Sequence, residues 1–293
     1  MGVSRATIHR LVDSLKSKGF IIEAYPGRGY RLILENDLQN LTNTLWRLHG
    51  LCYKIYYIRE CTSTQDIAEE LAKSGAPEGS VIVAEKQTRG RGRFSREWFS
   101  GEGGLWFTVL LKPKVVNNLQ LISLAMGTAV AESIKKLLKI NVGLKWPNDV
   151  VYKGKKLAGI LVEGKVEADV IKYILVGVGV NINNKIPDEL KDIATSISEI
   201  LGFKIPRAPV LKGILESFAK YYISILHGKH EYVIKEWKKH TVTLNRRVVV
   251  KFINEVIEGI ATGIGKDGSL IIRCSDGSIK KAYAGDCTIL EQV

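Results

Sequence analysis

The sequence AEKQTRGRGRFSREW, at residues 84–98, combines two glycines and four arginines directly after a short apolar segment. That segment, SVIVA at residues 80–84, is rich in β-branched side chains and predicts a buried strand. The arginines cannot belong to a core, because burying an unpaired guanidinium costs too much free energy. Gly90 and Gly92 permit a close approach of the backbone to a ligand, and arginines offer paired donors to carboxylate or phosphate. The stretch predicts an anion-binding loop, with a nucleic-acid contact or a solvated loop as alternatives.

The composition is that of an ordinary globular protein, and the length is sufficient for more than one domain. The chain has 293 residues, of which 45% are hydrophobic and 25% are charged. It contains no apolar run of about 18 residues and no hydrophobic signal core, so we expect a cytoplasmic protein without a membrane span. The cysteines have no Cys-x-x-Cys spacing, which predicts core thiols rather than a zinc site. They are Cys52, Cys61, Cys274 and Cys287.

The net charge of +13 is not concentrated at the N-terminus. Residues 1–36 contribute only +3, so the excess lies mainly on the rest of the chain. A basic surface of this kind suits an enzyme that handles nucleotide phosphates and docks an acidic partner. It also gives non-specific affinity for nucleic acid.

Three further motifs follow the arginine loop. They are KWPND at residues 145–149, KLAGILVE at residues 156–163 and GVGVNIN at residues 177–183. Together with GRGR at residues 90–93, these motifs and their order resemble the biotin protein ligase family. The resemblance extends from about residue 51 to the C-terminus, and more loosely through the N-terminal segment.

Segments separated by turns predict a mixed, largely antiparallel sheet in an α+β fold. They are residues 143–146, 149–152, 156–163 and 170–181. Residues 119–139 and two segments between residues 209 and 239 predict scaffold helices. Short strands after residue 246 predict a small barrel. The resemblance implies a catalytic domain at residues 51–240, similar to class II aminoacyl-tRNA synthetases, and an SH3-like domain at residues 241–293.

The N-terminal segment resembles part of a winged helix-turn-helix. Residues 4–18 predict an amphipathic helix with Ser4 as its N-cap, and residues 20–33 predict a hairpin. Because a complete domain of this type has earlier supporting helices, we interpret residues 1–36 as a partial one and expect no sequence-specific DNA recognition. Leucines at helical spacing predict a linker helix at residues 37–50.

The resemblance implies a two-step reaction. Biotin and ATP, with Mg²⁺ on its phosphates, would give biotinyl-5′-AMP, from which a lysine of a biotin carboxyl carrier protein takes the biotin. A homodimer is also implied. The sequence has neither a GxxxxGK[ST] phosphate loop nor a Ser-His-Asp constellation, so we expect no covalent enzyme intermediate. A lipoate ligase and a non-catalytic transcriptional regulator are the alternatives.

The resemblance also assigns site residues. Lys156 would bridge the biotin carboxylate and the α-phosphate, and it forms the catalytic set with Arg91 and Arg93. Arg91 is a candidate partner of Asp149. The biotin-binding candidates are Ser63, Thr64, Gln65, Gln87, Arg91, Gly92, Arg93 and Lys156. The nucleotide-binding candidates are Arg93, Trp98, Asn148, Asp149, Lys156 and Asn181. No residue is predicted to hold a metal.

These assignments have structural alternatives. Ser63 and Thr64 precede a predicted helix and are equally suited to capping it. Lys156 could be a solvated hairpin lysine, and Trp98 a core residue. Gln65 stands where the family has asparagine. Glutamine keeps the side-chain amide of asparagine but carries it on a side chain that is one methylene group longer.

Overall fold

The N-terminal segment forms the predicted helix and hairpin. The computed structural model describes residues 3–34, 37–113, 118–167, 170–252 and 255–290. Helix α1 (Arg5–Ser17) begins at Ser4, whose side chain accepts a hydrogen bond from the Thr7 N–H. Strands β1 (Ile22–Tyr25) and β2 (Gly29–Leu32) pair in antiparallel fashion as the wing. Helix and wing are joined by a hydrogen bond between the Tyr30 hydroxyl and the His9 ring, at 2.8 Å.

The predicted linker helix at residues 37–50 is wrong. The segment contains a single 3-10 turn (Gln39–Leu41) and then strand β3 (Leu45–Leu48), which pairs with β4 (Leu51–Cys61). Asn43 has a φ of 61° and ends any helical continuation. The side chains of β3 alternate between exposed and half-buried, so pairing with the sheet edge overrides the leucine spacing.

The central part of the chain contains an eight-stranded sheet, which is mixed and largely antiparallel, as predicted. Its order is β3-β4-β5-β6-β10-β9-β8-β7, and every neighbouring pair is antiparallel except β4 and β5. The remaining strands are β5 (Ser80–Gln87), β6 (Leu105–Leu111), β7 (Gly143–Lys145), β8 (Asp149–Tyr152), β9 (Lys155–Glu167) and β10 (Val170–Val180). The parallel pair requires a crossover, which α2 (Thr64–Lys73) supplies.

Helices cover both faces of this sheet. The long scaffold helix α3 (Leu119–Leu138) is buried along most of its length and packs on α5 (Ala208–Leu226) and α6 (His230–Lys238), which confirms the predicted helices. A short helix, α4 (Ile197–Leu201), precedes them. Helix α2 buries Ala68 and Ala72 in a separate apolar cluster with Ile82, Leu110 and Leu175. The sheet is therefore a rigid platform between two apolar layers.

The C-terminal domain is a five-stranded antiparallel sheet consistent with an SH3-like barrel. Its strands are β11 (Arg247–Lys251), β12 (Val256–Ile264), β13 (Leu270–Arg273), β14 (Ile279–Ala282) and β15 (Asp286–Ile289), in the order β14-β13-β12-β11-β15. The buried Trp146 donates its indole N–H to the Gly268 carbonyl at 3.0 Å. This contact joins the barrel to the KWPND motif.

The cysteines occupy different environments. Cys287 is buried, Cys61 and Cys274 are half-buried, and Cys52 is exposed. The expectation of core thiols is therefore wrong for Cys52, which lies on β4 with its side chain turned outward. Within the described residues, no helix is both long and apolar enough to cross a membrane.

Candidate active site

A cleft of about 150 Å³ lies above β9 and β10, beneath the loop that joins β5 to β6. The structure brings together in its walls nearly every residue that the sequence predicted, including both the biotin-side and the nucleotide-side candidates. These are Ser63, Thr64, Gln65, Gln87, Arg91, Gly92, Arg93, Trp98, Asn148, Asp149 and Lys156. Their ligand contacts stay predictions.

Asn181 does not line the cleft. It is buried, and its side-chain oxygen accepts from the Asn184 side-chain amide at 3.0 Å. Its backbone N–H donates to the Leu157 carbonyl. These bonds fix the turn after β10, so the structure gives Asn181 a supporting position rather than a place in the cleft wall.

One end of the cleft is formed by a chain of hydrogen-bonded polar side chains. The Gln87 side-chain oxygen accepts from the Thr64 N–H at 2.7 Å and from the Thr64 hydroxyl at 3.1 Å. Since the Thr64 proton is directed to Gln87, the buried Thr108 hydroxyl, 2.8 Å away, must donate to Thr64. The Gln87 amide group donates in turn to the Ser100 hydroxyl at 2.8 Å. Thr64 therefore offers the cleft only a lone pair, which fits a ligand N–H.

Ser63 and Gln65 flank this polar end. The Ser63 hydroxyl caps α2 by accepting from the Gln65 N–H at 3.3 Å, so the capping alternative describes its geometry. The Gln65 side chain lies against Gly177, where an added Cβ would come within 2.8 Å of its amide carbon. The missing side chain at Gly177 makes room for glutamine in place of asparagine.

The middle of the cleft has a floor of two paired glycines. Gly159 of β9 lies opposite Gly179 of β10, and the Trp98 indole rests on both. An added Cβ would come within 3.0 Å of the ring at Gly159 and 2.4 Å at Gly179. The Trp98 indole N–H is buried and has no hydrogen-bond partner among the described residues. The cleft volume lies below the about 300–1,000 Å³ that is usual for ligand pockets, and the Trp98 indole fills its middle.

The other end of the cleft carries the cations. The Lys156 ammonium lies 2.7 Å from an Asp149 carboxylate oxygen and 5.1 Å from the centre of the Trp98 ring. The ion pair is close but poorly aligned as a hydrogen bond, so the ammonium donors remain available to a ligand anion.

The predicted pair between Arg91 and Asp149 is wrong. Arg91 instead pairs with Asp66, in the first turn of α2, and lies 3.5 Å from Glu163. Asp149 is already engaged by Lys156. The sequence did not single out Asp66, because an acidic residue in a first helical turn is a common capping feature. Glu163 lies at the end of the KLAGILVE motif on β9 and was given no role of its own.

The arginine loop also reaches the C-terminal barrel. Arg93 donates to the Asn148 side-chain oxygen at 3.3 Å and to the Gly285 carbonyl at 3.1 Å. Burial lowers the pKa of Arg93 from its usual value, against the opposing effect of Asp286. Arg96 pairs with Asp286, which lines the cleft and escaped sequence analysis. The barrel thus supplies part of the cleft wall.

Comparison with known proteins agrees with this site. The Biotin/lipoate A/B protein ligase family matches residues 57–181, the Biotin protein ligase C terminal domain matches residues 243–290, and an HTH domain matches residues 1–31. The last match is consistent with α1 and its wing.

Relatives match over most of the chain. The bifunctional ligase/repressor BirA of Bacillus subtilis is 36% identical over 293 residues, covering 98% of this chain and 90% of the relative. BirA of Escherichia coli is 28% identical and covers 99% and 90%. The structure of biotin protein ligase from Aquifex aeolicus in complex with biotin and ATP has a TM-score of 0.72 at 32% identity, covering 81% of this chain and 99% of that one. The chain therefore belongs to the biotin protein ligase family.

Proposed function

We propose that this chain activates biotin with ATP to biotinyl-5′-AMP and transfers the biotin to a lysine of a biotin carboxyl carrier protein. The observation that carries the proposal is the order of side chains along β9 and β10, the two strands that form the floor of the cleft. Gln65 lies over Gly177, Trp98 lies over Gly179 and Gly159, and Lys156 follows along β9. A neutral polar end is thus followed by a flat aromatic surface and then by a cation.

This order matches the chemistry of biotin. A ureido N–H would donate to the Thr64 lone pair and the second N–H of the Gln87 amide would donate to the ureido carbonyl, which directs the carboxylate toward Lys156. Trp98, once displaced from its glycine floor, offers a surface for the adenine ring. Asn148 and Asp149 line the nucleotide end in the same proposal.

In the first step, a carboxylate oxygen of biotin attacks the α-phosphorus of ATP, and the bond to the bridging oxygen breaks to release pyrophosphate. Two anions must be held together, which Lys156 and Arg93 favour by electrostatic stabilisation. Arg91 would close over the biotin side. Mg²⁺ is proposed as part of the nucleotide substrate, because it usually binds phosphates together with one or two carboxylates.

In the second step, the neutral amine of the acceptor lysine attacks the carbonyl carbon of the adenylate. The amide bond forms, AMP departs with the anhydride oxygen, and the amine loses one proton. In this proposal Lys156 lies beside the scissile bond and stabilises the departing phosphate as well.

Three further expectations accompany the proposal. They are a cytoplasmic location, a homodimer, and weak, sequence-indifferent DNA binding by residues 1–36. The last rests on the net charge of +3 over that segment, which can hold phosphates loosely without reading bases.

The test is biotin-dependent exchange of pyrophosphate into ATP by the purified protein, followed by labelling of an apo carrier domain. We expect exchange with biotin and none with lipoate. Exchange that depends on lipoate, or none with either acid, would contradict the proposal.

A further inference from the structure

A second groove, of about 970 Å³, lies where the catalytic domain meets the C-terminal barrel. Its walls come from the ends of α3 and α6, from β7, from the turn between β8 and β9, and from β15. Cations line it: Lys135, Lys145, Lys153, Lys239 and Arg246. Within the described part of the chain, no acidic residue lines this groove, so we call it the basic groove.

Most of these cations have no carboxylate partner among the described residues, although Lys153 lies over the Tyr152 ring, 5.6 Å from its centre. Lys239 pairs with Glu236 at 2.6 Å, which neutralises it. For the other four, no carboxylate oxygen of the described residues lies within 4.0 Å of the charged group. Lys135, Lys153 and Arg246 are exposed, and Lys145 is half-buried. Like charges gathered in one groove repel one another and attract an anionic partner.

The floor of the groove favours a protein over a nucleic acid. Val142 and Val151 are buried within it, and Ile289 and Leu290 add apolar surface on the barrel side. An apolar floor with a charged rim is typical of protein interfaces. Among the lining residues that the structure describes there is no Phe, Tyr or Trp on which a base could stack, and the one aromatic ring, the imidazole of His240, is half-buried.

The basic groove adjoins the catalytic cleft. Strand β15 begins at Asp286, in the cleft wall, and reaches Thr288 and Ile289 in the groove. At about 3.3 Å per residue, these positions lie within roughly 10 Å of one another along the strand. Burial raises the pKa of the Cys287 thiol to about 11, while Lys145 on the groove side and Asp149 on the cleft side act on it in opposite directions.

We propose that the basic groove docks an acidic face of the acceptor protein and so directs its target lysine toward the adenylate. The inference rests on the proposed function, because it assumes a protein acceptor. Electrostatic complementarity would accelerate encounter and orient the acceptor, without contributing to adenylate formation itself.

The test uses charge reversal of two exposed groove residues, Lys135→Glu with Lys153→Glu. The matched control reverses two exposed lysines outside the groove and the cleft, Lys185→Glu with Lys204→Glu, and changes the net charge equally. Each protein is assayed for biotin-dependent pyrophosphate exchange, for transfer of biotin to hydroxylamine, and for transfer to a purified apo biotin carboxyl carrier domain of negative net charge.

We expect the groove variant to keep exchange and hydroxylamine transfer, but to lose roughly 10-fold in kcat/KM for the carrier domain at low salt. The loss should shrink at high salt, where charges are screened. A wild-type protein without exchange would refute the proposed function. If the wild type labels the carrier and the groove variant matches the control, only the groove proposal fails. Loss of duplex DNA binding with unchanged carrier transfer would also overturn it.

Discussion

The loop between β5 and β6 has a base, formed by Glu85, Gly103 and Gly104, and a tip, formed by residues 89–97. The base and the tip are held by different kinds of contact. At the base, Glu85 accepts from the Gly103 N–H at 3.0 Å and pairs with Arg207 at 2.7 Å. Arg207 also donates to the Gly104 carbonyl and pairs with Asp37 at 3.1 Å, and both partners of this second pair are almost fully buried. The base is therefore fixed from within the protein.

At the tip, Arg91 and Arg96 are held by partly exposed carboxylates, and Arg93 donates to the Asn148 side chain and the Gly285 carbonyl. The side chains of the Arg91–Asp66 and Arg96–Asp286 pairs are between 33% and 65% exposed. Exposed ion pairs contribute about 0–1 kcal/mol, whereas breaking a buried pair costs about 3–5 kcal/mol. The tip can therefore open to admit ligands while the base returns it to the same position.

Removing the Arg207 side chain should destabilise the base of the loop. Arg207→Ala leaves Asp37 and Glu85 without their cation, and we expect the free energy of unfolding to fall by about 3–5 kcal/mol. Urea denaturation measures the change. Arg247→Ala is the control, because Arg247 pairs with Glu258 on the surface, and it should cost about 0–1 kcal/mol. If Arg207→Ala and Arg247→Ala lose equal free energy of unfolding, the buried pairs at the base stabilise the protein no more than exposed pairs do.

Substitution of Lys156 tests whether adenylate formation depends on the rigid floor of the cleft rather than on the mobile tip of the loop. Lys156→Ala should lower the rate of adenylate formation by roughly 10²–10³, because one preorganised positive group beside the reacting anions is lost. The neighbouring Lys155→Ala is the control, since Lys155 is exposed and its ammonium donates to the Lys191 carbonyl, away from the cleft lining. A Lys156→Ala rate within about threefold of the wild type would exclude this role.

The motifs predicted the rigid parts of the site better than its long-range contacts. The β-branched run before the loop and the turn-separated strands were confirmed, because both follow from local periodicity. The linker helix was wrong because a sheet edge competes with leucine spacing, which sequence alone cannot weigh. The links of Arg93 to Gly285 and of Arg96 to Asp286 join residues about 190 positions apart, and no local pattern encodes them.

Thr108 illustrates a residue that sequence reasoning missed. It lies in the apolar run of β6 and reads as a core position, yet its hydroxyl orients Thr64. Thr108→Val keeps the shape and removes the donor, so we expect the KM for biotin to rise roughly 3–10-fold, the effect of one neutral hydrogen bond. The KM for ATP should not change. Thr108→Ser retains the hydroxyl and should behave like the wild type; equal effects of serine and valine would point to packing instead.

The smallest effect is expected at the tip itself. Phe94 and Ser95 have φ angles of 56° and 57°, in a region that non-glycine residues rarely occupy, and the ion pairs of Arg91 and Arg96 at the tip are partly exposed. We therefore expect Arg96→Ala to change the free energy of unfolding by no more than about 1 kcal/mol.

Biotinyl-AMP, however, should slow hydrogen exchange and proteolysis at residues 89–97, because the adenylate gives the arginines anions to bind. Exchange at Glu85 and Gly103 should stay the same with and without ligand. Equal protection of residues 89–97 in the two states would show that the tip is as fixed as the base.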